Sequence, residues 1–143
     1  ETPDYRLKVL IGRFADVSAP IVDNITDVSY LDVQVQPGKH FQHHLPVENN
    51  SFLYVFEGDG QLDEQMVPLH SLVILESDVR SFNFVAGKAG ARFVVVSGRP
   101  IHEPIVQYGP FVMNTREQID QAMKDFQSNN FVRDRAWIKR DKK

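Results

Sequence analysis

Short apolar runs with a two-residue period, broken by turn residues, fill the chain from about residue 6 to 97. Leu31, Val33 and Val35 alternate with Tyr30, Asp32, Gln34 and Gln36, the pattern of a strand with one buried face, and Pro37-Gly38 ends it. Phe52 to Phe56 is apolar throughout. Glu57-Gly58-Asp59-Gly60 follows and reads as a tight hairpin turn, since glycine accepts the positive φ such turns need. Ser71 to Leu75, Val79 to Phe84 and Ala91 to Val96 continue the series, with Gly87 and Gly90 marking a turn between the last two. Strands this short, at nearly regular spacing, predict an antiparallel sandwich or barrel. Two packed sheets should close on Leu31, Val33, Phe52, Tyr54, Phe82, Phe84 and Val95. No fixed-period self-similarity marks a repeat array.

The period changes near residue 115. Ile119, Ala122, Met123 and Phe126 fall at i, i+3, i+4 and i+7, the single apolar stripe of an amphipathic helix over about 115–128. Asn114 or Thr115 can cap it, with Glu117 or Gln118 in the capping-box position, and Ser128-Asn129-Asn130 ends it. The stripe needs cover, by default the outside of the barrel and otherwise a partner domain. Residues 129–143 form a basic and aromatic tail, in which Arg133, Arg135, Lys139, Arg140, Lys142 and Lys143 interleave with Phe131, Trp137 and Ile138. Asp134 and Asp141 dilute its charge, so it reads as a solvated tail anchored by its aromatics rather than as a nucleic-acid patch.

Composition narrows the function classes. A length of 143 residues suits one domain and is too short for two such barrels. A net charge of -3 argues against a nucleic-acid-binding surface. The chain has no cysteine, hence no disulfide framework, thiolate nucleophile or cysteine-based zinc site, which suits the cytosol. Apolar runs such as Phe93 to Val96 are strand-sized, far short of the ~20 residues of a membrane helix, so no membrane partner is expected. No Gly-x-Ser-x-Gly elbow or phosphate-cradling loop is present; Gly58-Asp59-Gly60 sits between strands, where a nucleotide fingerprint needs a following helix. The start, Glu1-Thr2-Pro3-Asp4-Tyr5, carries neither an initiator methionine nor a signal peptide, and the chain reads as a piece of a longer protein.

The histidines are the candidate chemistry. His40, His43 and His44 crowd one segment, with Glu48 just beyond. Adjacent His43 and His44 face opposite ways on a strand, whereas His40 and His44 share a face. His40, His44 and Glu48 are therefore the fallback metal set, and a surface or pocket-rim cluster is the plainer reading. His70, beside Pro68, reads as a loop residue. His102 next to Glu103 is a nominal acid–base pair, but neighbours point apart in extended chain, and no catalytic residue is assigned.

The most specific stretch runs from Gly98-Arg99-Pro100-Ile101-His102-Glu103-Pro104 to Gly109-Pro110-Phe111-Val112-Met113-Asn114-Thr115. It resembles the C-terminal end of the pirin family, two-domain cupin proteins in which such a segment closes the barrel and opens a helix. Tyr30-Leu31-Asp32-Val33 with Gln36-Pro37-Gly38, the run Phe52 to Gly60, and Arg92 to Pro100 resemble the family's barrel strands, so the resemblance covers about residue 5 to the end. It implies an all-β, cupin-type double-stranded antiparallel barrel, jelly-roll-like, with one C-terminal helix. Residues 1–143 would then be a single domain: barrel about 6–97, closing segment 98–114, helix about 115–128, tail 129–143. Glu103, Gly109, Pro110, Phe111 and Asn114 are its structural signature. Glu103 is expected to tie the segment to backbone or to an arginine such as Arg99. Gly109-Pro110-Phe111 should turn the chain and bury Phe111 or Val112.

A cupin metal site resembles Gly-x5-His-x-His-x3-4-Glu-x6-Gly, with a third histidine from a later strand. Anchored on Gly58, its carboxylate position falls on Ser51, its second histidine on Pro46 or Val47, and its first on His44 or Leu45; no histidine lies between Ser71 and Ile101. No cofactor is therefore expected in this chain, and the resemblance implies an iron-type divalent metal in an N-terminal cupin upstream. Family members include quercetin-cleaving dioxygenases and nuclear co-regulators that bind transcription factors. The leading expectation is a non-catalytic C-terminal cupin that buttresses the metal-bearing one and offers a protein-interaction surface. One alternative is part of a quercetin 2,3-dioxygenase-like enzyme whose metal site lies in the other domain; another is a metal-free cupin module binding a small apolar ligand. The expected partners are the N-terminal cupin or identical chains, with a regulatory protein as a further one, and the compartment is the cytoplasm, or the nucleus in a eukaryote. Half of a bicupin should show an apolar face without cover, with Tyr5, Leu7, Val9 and Ile11 as a strand crossing to the other barrel.

Overall fold

The computed structural model describes residues 2–76 and 78–132. The chain divides into two compact units, Glu1–Ile101 and His102–Lys143. The basic tail residues Arg133 to Lys143 lie outside the described residues.

In the first unit, β1 (Tyr5–Ile11), β4 (Ser29–Val35), β5 (His40–His44), β6 (Asn50–Leu62), β7 (Gln65–Val67), β8 (Leu72–Leu75) and β9 (Ser81–Gly98) form one seven-stranded sheet, with β2 (Arg13–Phe14) and β3 (Val17–Ser18) as a separate small hairpin. Every pairing is antiparallel. The long strands β6 and β9 pair from Asn50↔Gly98 to Leu62↔Phe84. Along β9, β5 pairs with Ser81 to Val85 and β4 with Ala91 to Ser97. The sheet bends where those partners change. Phe84 and Phe93, nine positions apart on one strand, meet at 4.5 Å between ring centroids, and Phe41 of β5 lies 5.9 Å from Phe93. One sheet folded over its own core therefore replaces the two packed sheets expected.

Glycines make that fold possible. Gly58 and Gly90 both have positive φ, +68° and +81°, and a Cβ on Gly58 would collide with the Gly90 carbonyl oxygen. The register of β6 shifts between Val55 and Glu57 and again between Gly58 and Gly60. Glu57–Gly60 and Gly87–Gly90 are thus irregular positions inside continuous strands, not the hairpin turns expected. Positive-φ glycines serve bulges as readily as turns, and each strand bends there without ending.

Pairing register decides the core. Leu31, Val33, Val35, Phe41, Leu53, Val55, Phe82, Phe84, Phe93 and Val95 are buried together. Leu53 sits opposite Val95 and Val55 opposite Phe93, so the expected core residues Phe52 and Tyr54 lie on the other face. Phe52 to Phe56 is apolar at every position, and without alternation in its own sequence a one-residue ambiguity reverses both faces. Strand β1 runs along β4, from Tyr5↔Val35 to Ile11↔Tyr30, and Tyr5, Leu7 and Val9 pack on this core. The strand expected to cross to another barrel is an edge of this one.

In the second unit, β10 (Val106–Tyr108) and β11 (Phe111–Met113) form a hairpin ahead of helix α1 (Arg116–Gln127). Gly109 has φ +55°, and Pro110 after it fixes φ near −65°, the sign pattern of a type II′ turn. The Thr115 hydroxyl accepts from the Gln118 N–H at 3.3 Å, and the Gln118 side-chain oxygen accepts from the Thr115 N–H at 3.0 Å, a full capping box. Ile119 and Ala122 are buried against Phe111, with Val106, Met113 and Met123 packed around them. Phe126, expected in the stripe, is 61% exposed.

Candidate functional site

The positions where a cupin metal shell would fall hold other chemistry. His44 lies exposed on β5 opposite Ser81, and Pro46 offers no ligand atom. Ser51, at the carboxylate position, is buried, and its hydroxyl donates to Ser97 Oγ at 2.9 Å, while Asn49 Nδ2 donates to the same oxygen at 3.2 Å. Each buried side-chain polar atom among the described residues has a hydrogen-bond partner. A neutral hydroxyl and an amide both committed to Ser97 make a poor donor set for a transition metal, which prefers imidazole and carboxylate. His40 and His44 are both exposed, and Glu48 pairs with Arg99 at 3.4 Å. No three metal-ligating side chains converge among the described residues, so His40, His44 and Glu48 are not brought together.

His43 is the histidine that turns inward. Its ring lies 5.4 Å from Phe14, 6.0 Å from Phe41 and 6.0 Å from Phe82. Burial among these rings, with the neighbouring His44 as a lesser cause, lowers its pKa below that of a free imidazole. The signal was present in the sequence: Phe41, His43 and Leu45 alternate, so any core face containing Phe41 takes His43 with it.

The outer face of the sheet carries a buttressed ion pair and, beside it, an apolar band. Arg92 donates from Nε and Nη2 to the two carboxylate oxygens of Asp32, at 2.9 and 2.7 Å, and from Nη1 to Glu57 at 3.2 Å, with its guanidinium 5.2 Å from the Phe56 ring centroid. The hydrogen bonds from Arg92 hold the Asp32 carboxyl below its usual range. Next to this pair, Tyr30, Val96, Phe52 and Ile74 line up across four adjacent strands, and Val94, Tyr54 and Leu72 form the next row. Ile74 is 76%, Leu72 57% and Phe52 36% exposed. The band is not legible in the sequence, where Phe52 and Tyr54 carry the pattern of core residues.

His43 and Asp32 should produce two separable acid steps. Both folded pKa values lie below the unfolded ones, about 6.5 and 3.9 respectively, so each group stabilises fully above its unfolded pKa. Each contribution is lost as pH falls through the folded value. Stability against pH should decline first below about pH 6.5 and again below about pH 4. His43→Phe should flatten the first decline and Asp32→Asn should reduce the second, which Asp23 and Glu117, also held below their usual range by hydrogen bonds, share. Urea unfolding across the acid range reads both, and a variant curve parallel to the parent's would refute its assignment.

In the closing segment, Asn114 Nδ2 donates to Glu103 Oε2 at 2.8 Å and to the Pro104 carbonyl at 3.0 Å. Glu103 thus ties the start of the segment to its end, and Arg99 pairs with Glu48 instead. His102 is exposed with φ +54°, and His70 sits in a turn with φ +63°.

These features fall inside a known family. The family model of the pirin C-terminal cupin domain matches residues 30–132, which hold the folded sheet from β4 onward and the closing segment with its helix. The chain belongs to the pirin family. It is 40% identical over 119 residues to a pirin-like protein of Solanum lycopersicum, covering 78% of this chain and 40% of that protein. It is 35% identical over 119 residues to pirin of Homo sapiens, covering 78% and 41%. A crystal structure of quercetin 2,3-dioxygenase from Acinetobacter baumannii matches at a TM-score of 0.81 and 27% identity, over 92% of this chain and 45% of that one. The chain spans less than half the length of these pirin relatives. Glu103, Gly109, Pro110, Phe111 and Asn114 all lie within the part matched to the pirin C-terminal cupin.

Proposed function

We propose that this chain is the non-catalytic C-terminal barrel of a pirin-type bicupin, buttressing a metal-bearing N-terminal cupin and presenting a protein-interaction surface. The apolar band of Phe52, Ile74, Val96 and Tyr30 carries this reading. A continuous row of large apolar side chains on a sheet face, exposed at Ile74 and Phe52 and half-buried at Val96 and Tyr30, is the mark of a surface that another body covers. Two further observations support it. Ser51, Pro46 and exposed His44 supply no metal shell, and Phe41, Phe82, Phe84 and Phe93 fill the interior where a lumen ligand would sit.

The quercetin 2,3-dioxygenase similarity favours a compatible second reading. The parent would be such an enzyme, its iron-type metal held by the N-terminal half and its chemistry done there. The test mixes this chain with a separately produced N-terminal cupin half and follows association by sedimentation velocity. A one-to-one complex is expected, weakened about tenfold or more by Phe52→Lys, since a charge buried in an apolar interface loses its hydration. A parent chain that ignores the added half refutes the buttress. Near-stoichiometric iron or zinc bound through His40 and His44 in the purified chain would return the chemistry to this barrel.

A further inference from the structure

Strand β8 ends the sheet. It pairs with β6 on one side, and no described strand pairs with the other. The Val55 N–H donates to the Ser71 carbonyl at 3.0 Å. Bonded and open residues alternate along an antiparallel ladder, so Val73 and Leu75 turn their backbone groups to β6. Those of Leu72 and Ile74 then face the open edge. Folded proteins usually guard such an edge with a lysine, a proline or an inward charge. Leu72-Val73-Ile74-Leu75 has none.

A groove of about 560 Å³ runs along this edge. Leu62, Val73, Leu75 and Val79 give it an apolar floor, and every charged residue that lines it is acidic: Asp63, Glu64 and Glu76. All three carboxylates are exposed. An apolar floor beside an unpaired strand edge, rimmed by charge of one sign, selects a particular guest.

We propose that the β8 edge is a strand-addition site for an extended peptide segment of a partner protein, one with apolar side chains at alternate positions and cationic side chains at its ends. The guest backbone would bond to the free N–H and C=O groups of Leu72 and Ile74. Side chains of an added strand alternate between faces. One set of apolar side chains therefore enters the groove over Val73 and Leu75, while lysine or arginine side chains at the ends of the guest meet Asp63, Glu64 and Glu76. A second copy of this chain is the worse occupant, because β8 carries no cation and pairing two edges would bring the acidic rims together. The site uses the backbone edge of β8, whereas the proposed contact with the N-terminal cupin uses the outward side chains of a row that ends on the same strand at Ile74.

The test titrates the isotopically labelled chain with a short synthetic peptide alternating valine and threonine, with lysine at each end, reading backbone amide shifts. Shifts concentrated on Leu72 to Leu75 and on Asp63 and Glu64 are expected. N-methylation of the peptide's alternate amides should abolish them, since it removes the ladder donors. The double variant Glu64→Lys, Glu76→Lys should weaken binding about tenfold; both carboxylates are exposed, so the variant keeps its fold, which its amide spectrum verifies. Equal binding of the N-methylated peptide, or of a peptide with glutamate in place of lysine, overturns the proposal. So does a concentration-dependent dimer paired through β8. Tyr30→Lys, at the end of the apolar row farthest from β8, should weaken association with the N-terminal half and leave peptide binding unchanged, so failure of this site and failure of the buttress read out separately.

Discussion

Phe93→Ala should destabilise the protein by about 3–5 kcal/mol, the range for removing a large buried ring when its surroundings cannot collapse. Phe93 is fully buried, lies 4.5 Å from Phe84 and 5.9 Å from Phe41, and sits opposite both Val33 and Val55. It fills the space between the two halves of the folded sheet, so its loss leaves a void that no neighbour can enter without bending β9. Small domains hold only about 5–15 kcal/mol in total, and the variant should unfold at a much lower urea concentration with an unchanged slope. Phe93→Leu keeps most of the volume and should fall between the two. Ile74→Ala, on the exposed band, should change stability by no more than about 0.5 kcal/mol. A loss at Phe93 no greater than that at Ile74 would show that the sheet does not close on this ring.

Much of this fold was legible in the sequence, and the misses share one cause. The strand at Leu31 to Val35 was placed correctly on both faces because its polar residues declare the outside. Phe52 to Phe56 declares nothing, since each of its positions is apolar, and its orientation is set by pairing with β9, which no local pattern encodes. That single ambiguity moved Phe52 and Tyr54 indoors and concealed the outer band. The glycines misled in a similar way: Gly58 and Gly90 are required by a close crossing of two strands, a non-local event that looks like a turn in sequence. At the positions of the cupin ligands the residues themselves are legible, because Ser51 and Pro46 ligate poorly wherever the chain places them. The inward turn of His43 is encoded in its alternation with Phe41 and Leu45, which the pairing of His40 with His44 leaves out. The helix and its cap were the easiest to read, being local, with Thr115 and Gln118 three residues apart.

Phe111→Ala is the counterpart experiment in the closing segment. Phe111 is buried against Ile119 and Ala122, and its ring lies 5.9 Å from Phe126 and 5.3 Å from Phe131. An isolated helix of this length is marginal in water, so α1 owes its persistence to the hairpin beneath it as well as to its capping box. Truncating the ring should cost about 3–5 kcal/mol. The loss should appear first as faster amide exchange at Ile119, Ala122 and Met123, which lie over the vacated space. Val112→Ala, one residue along on the exposed side of β11, should cost no more than about 0.5 kcal/mol. The pair separates two roles for the Gly109-Pro110-Phe111 turn. If the turn exists to deliver an anchor, Phe111 carries nearly the whole effect. A cost below about 1 kcal/mol at Phe111, with exchange at Ile119 unchanged, would mean that the segment's aromatic ring is there for contact with something outside the chain.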